Sequence, residues 1–281
     1  MNQEPAGAAT ALPTLEALAR GHARGIARRD RDGTFVHVYE DSLRPLCAGH
    51  FPGDPIVPGA HILGLIVDVA RSLGPRQGAL AIESCGFRAP LRPDGELRVH
   101  ARLDASHKIR GTVSRSGGDR PIASARMRWL DAPPVLSPRA RVSGAPEIDS
   151  SAVSRYLRHR GPALLIDREL AAGPPGPARA RWFATPSLDH WFWTQALDAA
   201  AQAAGLCLRS EGATTRPGAA VLVVAYERVT VVNERPAGAL AISVQRRRRV
   251  INIQQFDVAV ETDDGAPIMT ARVSLAPVEG P

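Results

Sequence analysis

The first 131 residues alternate between segments typical of strands and one apolar segment typical of a helix. Alternation of apolar and polar positions predicts strands at Thr34–Tyr39, Leu80–Phe87, Glu96–Leu103, Ile109–Ser116 and Ile122–Leu130. The apolar segment Ala60–Leu73 predicts a helix that ends at Gly74-Pro75. Weaker helical spacing over residues 15–29 predicts another helix, and residues 1–14 have the composition of a disordered terminus. This half is therefore predicted to pack a central helix against a meander of strands.

A change of composition separates this half from the next. Residues 132–152 are rich in Pro, Ser, Gly and Ala, which predicts a linker between one domain at 15–131 and another at 153–281. Beyond it, a strand at Ala178–Ala184 leads to an apolar helix at Trp193–Leu208. Further strands are predicted at Ala219–Val232, Leu240–Gln245, Val250–Val260 and Ile268–Leu275.

The two halves share an internal motif. Arg92–Leu97 and Arg235–Leu240 both have the form Arg-Pro-x-Gly-x-Leu, at an offset of 143 residues. Each copy lies between the helix of its half and the later strands. A repeat at the length of a whole domain predicts a duplicated domain rather than a short solenoid repeat.

Composition is that of a globular protein without a membrane segment. The chain has 281 residues, of which 44% are hydrophobic, and it has no run of 18 apolar residues. Its N-terminus lacks a basic region followed by an apolar core, so we do not expect a secretory leader. Cys47, Cys85 and Cys207 are odd in number and lack metal-ligand spacing. We therefore expect reduced thiols and a cytoplasmic location.

The net charge of +7 raises the question of nucleic-acid binding. The charges are scattered over both halves, however, and the one run, Arg246–Arg249, has no interleaved aromatic residues. A protected strand edge is one interpretation of that run. A docking surface for an acidic partner, such as an acyl carrier protein, is the functional interpretation.

Residues 49–64 carry the strongest indication of chemistry. His50 lies in a segment stiffened by Pro52, Pro55 and Pro58, each of which fixes its own φ. The segment leads directly into the predicted helix, whose free N–H groups and dipole favour negative charge. A rigid histidine beside an anion site indicates chemistry on a carbonyl compound.

The string His50-Phe-Pro-x-x-Pro-Ile-x-Pro-Gly59 resembles the signature of bacterial 3-hydroxyacyl-[acyl-carrier-protein] dehydratases. The resemblance implies the hot-dog fold, in which an antiparallel sheet wraps around a central helix. Together with the internal repeat it predicts an α+β chain of two hot-dog units in tandem. Such tandem units resemble polyketide synthase dehydratase domains and the paired dehydratase subunits of aryl-polyene pathways.

The second half resembles the same family at other positions. Residues 159–167 are similar to its His-Arg-x-Pro-x-Leu-Leu-x-Asp opening, and the resemblance implies a structural rather than a catalytic role for His159. Asp198 and Gln202, at i and i+4 on the predicted helix, are similar to the acid and glutamine of the family's central helix. The His-Phe-Pro loop is missing from this half, where His190 lies only eight residues before Asp198.

The departures from the family pattern are complementary. In the first half, the position 14 residues after His50 is Gly64, so the acid is lost; Asp68 stands where the glutamine is usual. Family dimers take the histidine of each site from one protomer and the acid from the other. A fused pair that keeps His50 and Asp198 would retain one composite site.

The resemblance implies the roles of the residues in that site. His50 removes a C2 proton from a (3R)-hydroxyacyl thioester, its second ring nitrogen held by the carbonyl of Ile56. The backbone N–H of Gly59 stabilises the thioester oxygen. Protonated Asp198, oriented by Gln202, gives a proton to the leaving hydroxyl, and burial must raise the pKa of Asp198 for this role. We expect a phosphopantetheine-linked acyl chain on a carrier protein as substrate and no metal or cofactor.

Other functions remain open at this point. A hot-dog thioesterase would use a carboxylate to activate water and would not need the His-Phe-Pro loop. An added isomerase activity is compatible with an aspartate acid. A non-catalytic acyl-binding subunit would explain the lost residues of both halves. Association of two chains into a homodimer and a role for Asp68 also stay open.

Overall fold

The computed structural model describes the greater part of the chain. The described residues are 25–29, 35–39, 43–47, 49–71, 73, 79–104, 106, 108–118, 120–132, 134–136, 147–148, 153, 157–159, 164–166, 168–170, 178–184, 192–210, 220–232 and 238–278. The predicted disordered segment 1–14 and His190 lie outside them. No helix among these residues is long and apolar enough to cross a membrane.

The described residues of the first half form six strands and one α-helix. The strands are β1 (Gly25–Arg29), β2 (Phe35–Tyr39), β3 (Ala79–Phe87), β4 (Leu97–Leu103), β5 (Lys108–Arg115) and β6 (Ala123–Leu130). A 3₁₀ turn, Arg44–Cys47, precedes helix α1 (Gly59–Arg71). The predicted strands and helix are found within one or two residues of their expected ends. Residues 25–29, however, form an edge strand and not a helix, because they pair antiparallel with β2.

In the described residues of the second half, three strands precede the helix and four follow it, and these four are longer than the four that follow α1. The strands are β7 (Glu147–Ile148), β8 (Arg168–Leu170), β9 (Ala178–Ala184), β10 (Ala220–Val231), β11 (Gly238–Val250), β12 (Ile253–Thr262) and β13 (Pro267–Val278), with helix α2 at Phe192–Ser210. β7 lies within the predicted linker and pairs with β8. β11 does not end at Gln245 as predicted but runs through the arginine run to Val250, because it pairs with β12 along that length.

All the strands form one antiparallel sheet in which the two halves have the same internal order. The sequence across the sheet is β1-β2-β4-β5-β6-β3-β10-β13-β12-β11-β9-β8-β7. Read outward from the centre, β3-β6-β5-β4-β2 in one half corresponds to β10-β13-β12-β11-β9 in the other. β3 and β10 join the halves, with Cys85 opposite Tyr226. The correspondence of strand order supports the predicted duplication.

Each helix packs on the strands of its own half, and the two helices also contact each other. α1 is apolar on nearly every side: Leu63, Ile66 and Val69 are fully buried. Gly111 on β5 is needed for this packing, because a Cβ there would lie 2.0 Å from Cγ2 of Ile66. The helices and the β3–β10 junction therefore place residues of both halves around a shared space.

Candidate active site

A cavity of about 320 Å³ lies between the halves. The first half contributes the His50 loop, the start of α1 and the segment after β3. The second half contributes residues 157–159, one face of α2, the beginning of β10 and Leu275 of β13. Among the side chains that line it are His50, Phe87, His159, Asp198 and Gln202.

The loop that carries His50 is fixed by its own hydrogen bonds. The His50 N–H donates to the carbonyl of Cys47 at 2.8 Å, and the Ile56 N–H donates to the carbonyl of His50 at 3.2 Å. The next residue is tied to the neighbouring segment, since the Val57 N–H donates to the carbonyl of Leu91 at 2.8 Å. The prolines predicted a rigid loop, and these hydrogen bonds hold its backbone in place.

The ring of His50 has a defined tautomer. Its Nδ1 lies 2.7 Å from the carbonyl oxygen of Ile56, which can only accept, so Nδ1 carries the proton and Nε2 carries the lone pair. The ring stacks on Phe51 with centroids 4.2 Å apart. Burial lowers the pKa of His50 to about 4, against the opposing effect of the hydrogen bond to Ile56. His50 is therefore neutral at pH 7 and able to act as a base.

The pKa of Asp198 is shifted in the opposite direction, upward. It lies on α2, only 5% exposed, among fully buried alanines. Burial raises the pKa of its carboxyl group to about 7, while the hydrogen bond from Gln202 acts in the lowering direction. Gln202 Nε2–H donates to Oδ2 of Asp198 at 3.1 Å, and Gln202 Oε1 accepts the N–H of Leu165 at 3.0 Å. Near neutral pH a substantial fraction of Asp198 therefore holds a proton that it can give away.

The structure brings His50 and Asp198 together and adds His159. One polar atom from each of the three buried side chains lies within 4.8 Å of the other two. The His159 ring meets the rings of His50 and Phe51 edge-on, at centroid distances of 4.8 Å and 5.2 Å. Arg158 lies over the Phe51 ring, with Cζ 5.1 Å from its centroid. The family resemblance implied a structural role for His159. The structure places its ring beside His50, because the second half packs on the His50 loop.

Two imidazoles and a carboxylate are also a ligand set that zinc accepts. Tetrahedral zinc with bonds of about 2.0–2.1 Å holds its ligand atoms about 3.3 Å apart. The three atoms here are separated by up to 4.8 Å and would have to approach one another. The arrangement as it stands is spaced for a group between the side chains rather than for an ion bound to all three.

Gly59 begins α1 at the edge of the cavity. The N–H groups of His61 and Ile62 donate to the carbonyl of Pro58 at 3.0 Å and 3.1 Å. The preceding N–H groups, those of Gly59 and Ala60, have no acceptor within the helix. A Cβ on Gly59 would lie 3.2 Å from two ring carbons of Phe87. The glycine therefore allows the first turn of α1 to approach that ring.

Of the other candidates, Asp68 is buried on α1 but is not among the described residues that line the cavity. Tyr226, which the sequence did not suggest, lies at the β3–β10 junction with a fully buried side chain. Burial, followed by the negative charges of Asp198 and Cys85, raises the pKa of its phenol. Tyr226 thus adds a buried hydroxyl within electrostatic reach of Asp198.

Comparison with known proteins gives sequence matches in the first half. Residues 32–124 match the family model of ApeI-like dehydratases. The 3-hydroxyacyl-[acyl-carrier-protein] dehydratase FabZ of Nitratidesulfovibrio vulgaris (strain DP4) is 30% identical over 90 residues, covering 28% of this chain and 58% of that protein. FabZ of Acidiphilium cryptum (strain JF-5) is 33% identical over 75 residues, covering 23% and 44%. The chain thus spans about half the length of these relatives.

Comparison of structures extends over nearly the whole chain. The dehydratase domain of RzxB from Pseudomonas fluorescens superposes with a TM-score of 0.76 at 19% identity, covering 89% of this chain and 97% of that domain. The dehydratase domain of PpsC from Mycobacterium tuberculosis, solved in complex with C12:1-CoA, gives 0.69 at 18% identity, covering 90% and 98%. The resemblance to hot-dog dehydratases is therefore confirmed, in sequence for the first half of the chain and in fold for most of it.

Proposed function

We propose that this protein dehydrates a (3R)-hydroxyacyl thioester to the trans-2-enoyl thioester, using one site composed of residues from both halves. The observation that carries the proposal is the pairing of a neutral histidine with a carboxyl group of raised pKa, on different halves and within 4.8 Å in one cavity. Opposite pKa shifts of two neighbouring groups are what a reaction needing a base and an acid at the same pH requires.

The proposed reaction has two proton transfers. Nε2 of His50 takes the C2 proton, and the electron pair forms the C2–C3 double bond as the hydroxyl leaves C3. Asp198 gives its proton to that hydroxyl, which departs as water. The atoms balance without an oxidant or reductant: the C2–H and C3–O bonds break, the C2–C3 double bond forms, and the hydroxyl leaves as water with the Asp198 proton. Return of the proton from His50 to Asp198 then restores the site for the next turnover.

Four further residues have supporting roles in the proposed reaction. In this proposal the Gly59 N–H at the start of α1 stabilises charge that develops on the thioester oxygen. Gln202 holds Asp198 in orientation, and the Ile56 carbonyl keeps His50 in the reactive tautomer. His159 donates a hydrogen bond to the departing hydroxyl, which its proximity to both groups supports. The substrate that we propose is an acyl chain linked through phosphopantetheine to a carrier protein, in fatty-acid, polyketide or aryl-polyene-type synthesis.

The direct test is conversion of 3-hydroxyacyl thioesters of a carrier protein to the enoyl form by the wild type, His50→Ala and Asp198→Asn. A general acid or base contributes about 10²–10⁴-fold, so we expect each variant to lose about 10² or more in kcat. Asp68→Asn is the matched control, because it neutralises a buried carboxyl group outside the cavity lining; its turnover should stay within about threefold.

Each outcome has a distinct meaning. Equal losses for Asp68→Asn and Asp198→Asn would contradict the assignment of the acid. Release of free thiol without enoyl product would indicate a thioesterase. A wild type that binds acyl carrier proteins tightly but converts none of them would indicate a non-catalytic acyl-binding subunit.

A further inference from the structure

The β11–β12 hairpin carries four consecutive arginines and an exposed apolar tip. Arg246–Arg249 are all exposed, followed by Val250 at 44% and Ile251 at 86% exposure. Acidic groups nearby are fewer: Asp257 pairs with Arg247 and Arg272, and Glu227 lies across the sheet beside Gln255. The hairpin end is therefore a positively charged surface with an apolar centre.

The turn of this hairpin is strained. Val250 pairs with Ile253, so the connection has two residues, and Ile251 occupies it with a φ of 55°. Turns of this kind favour glycine at such a position, and a β-branched residue there is unusual. Because Ile251 is almost fully exposed, burial within this chain does not offset the strain. Strain that holds an apolar side chain outward is typical of a functional surface.

Strand register places the hairpin at the end of the sheet where the cavity lies. Arg249 is opposite Gln254, Gln254 is opposite Leu275, and Leu275 is opposite Val223. Leu275 and Val223 both line the cavity. With neighbouring strands about 4.8 Å apart, the backbone of Arg249 lies about 10 Å from that of Leu275.

The cavity itself has positive side chains among its lining. Arg88 follows β3, and Arg158 lies over Phe51. Positive charge therefore occurs both at the cavity lining and on the hairpin about 10 Å farther across the sheet. An acidic protein that delivers its acyl chain into the cavity would meet this charge.

We propose that the β11–β12 hairpin is the docking surface for the acidic carrier protein, with Arg248 and Arg249 as charge contacts and Ile251 as the apolar contact. The inference rests on the proposed function for the identity of the partner. Charge complementarity selects this occupant, since acidic residues of a partner are attracted to a surface on which arginines outnumber the nearby carboxylates, and this attraction steers its approach. A second copy of this chain would bring like charges together.

The test compares carrier-linked and small thioester substrates in two charge-reversal variants. The hairpin variant is Arg248→Glu with Arg249→Glu; Arg248 donates only to the Gln255 side chain and Arg249 to the Ile251 carbonyl. The control variant is Arg110→Glu with Arg126→Glu, which are exposed and opposite each other on β5 and β6. Substrates are the 3-hydroxyoctanoyl thioesters of an acyl carrier protein and of N-acetylcysteamine.

We expect the hairpin variant to raise KM for the carrier-linked substrate by about tenfold or more, with a weaker dependence on salt than the wild type. Its kcat/KM for the small thioester should be unchanged. Ile251→Gly should also weaken binding of the carrier protein, because the apolar contact is removed. It should raise thermal stability, because glycine relieves the backbone strain and little buried surface is lost. If Ile251 had only a structural role, the substitution would not both weaken carrier binding and raise thermal stability.

Direct binding of the acyl carrier protein, measured by fluorescence anisotropy, separates this inference from the proposed function. Loss of binding in the hairpin variant but not in the control supports docking even if no substrate is converted. Equal binding by both variants overturns it, as does a hairpin variant that loses affinity for a DNA or RNA oligonucleotide while keeping its affinity for the carrier.

Discussion

Gln202 offers a way to move the pH dependence of the proposed reaction without touching either proton-transfer group. With neutral His50 as base and protonated Asp198 as acid, kcat/KM should rise through a pKa of about 4 and fall through a pKa of about 7. The 3.1 Å hydrogen bond from Gln202 stabilises the ionised carboxylate more than the neutral acid. Replacing Gln202 with methionine removes that donor and should raise the pKa of Asp198.

The size of the shift follows from the hydrogen-bond energies. A hydrogen bond to a charged group contributes about 1.5–3 kcal/mol and one to a neutral group about 0.5–1.5 kcal/mol. The difference between the midpoints of these ranges, about 1.25 kcal/mol, corresponds to about 0.9 pH unit. The alkaline limb of Gln202→Met should therefore lie about one unit above that of the wild type, and the acid limb, which belongs to His50, should stay in place.

The assay is kcat/KM for enoyl formation from a carrier-linked substrate between pH 4 and pH 9. The same substitution removes the acceptor of the Leu165 N–H and should cost about 1–3 kcal/mol of stability, so urea unfolding at each pH must show that the variant is folded. An alkaline limb that stays in place or moves to lower pH would refute the assignment of Asp198 as the acid.

Other expectations concern single side chains. Because burial raises the folded-state pKa of Asp198 from 3.8 to about 7, the contribution of this group to wild-type stability is greatest below pH 4 and declines until about pH 7. In urea unfolding, Asp198→Asn should match the wild type at pH 4 and exceed it at pH 8 by up to about 4 kcal/mol; equal stabilities at pH 8 would argue against a buried carboxylate. Gly59→Ala should lower kcat by about tenfold with normal folding by circular dichroism, because its Cβ presses on Phe87 and displaces the helix start; an unchanged kcat would remove Gly59 from the site. His159→Phe keeps a ring against Phe51 but loses the nitrogens, so kcat should fall about tenfold while the unfolding free energy changes by less than about 1.5 kcal/mol; a change in KM alone would leave His159 a role in binding only.

Local sequence predicted the parts of the site that depend on neighbouring residues. The prolines around His50 indicated a rigid loop, and the spacing of Asp198 and Gln202 indicated one helix face; both depend on contacts within a few residues along the chain. The position of His159 beside His50 was not predicted, since it depends on how the second half packs on the first. Only long-range packing brings the His159 ring to His50, which is 109 positions away.

Two errors in element prediction have the same origin. Residues 25–29 show helical spacing but form β1, because pairing with β2 satisfies their backbone groups at the edge of the sheet. The arginine run lies between two predicted strands, yet it continues β11, because its residues pair with β12 except at a bulge at Arg247. In both cases pairing with the next strand along the chain outweighs the local preference of the side chains.

The proposed single site is compatible with the geometry of a fused pair. A dimer of identical subunits must keep the histidine and the acid in every chain, whereas a chain with two halves needs each of them once. Gly64, the position of the lost acid, is buried in α1. An aspartate introduced there would place a carboxylate in an apolar helix interface, and the cost of burying it without a matched partner is several kcal/mol. Packing of α1 against its surroundings therefore favours a small residue at this position, which is compatible with the proposed single composite site.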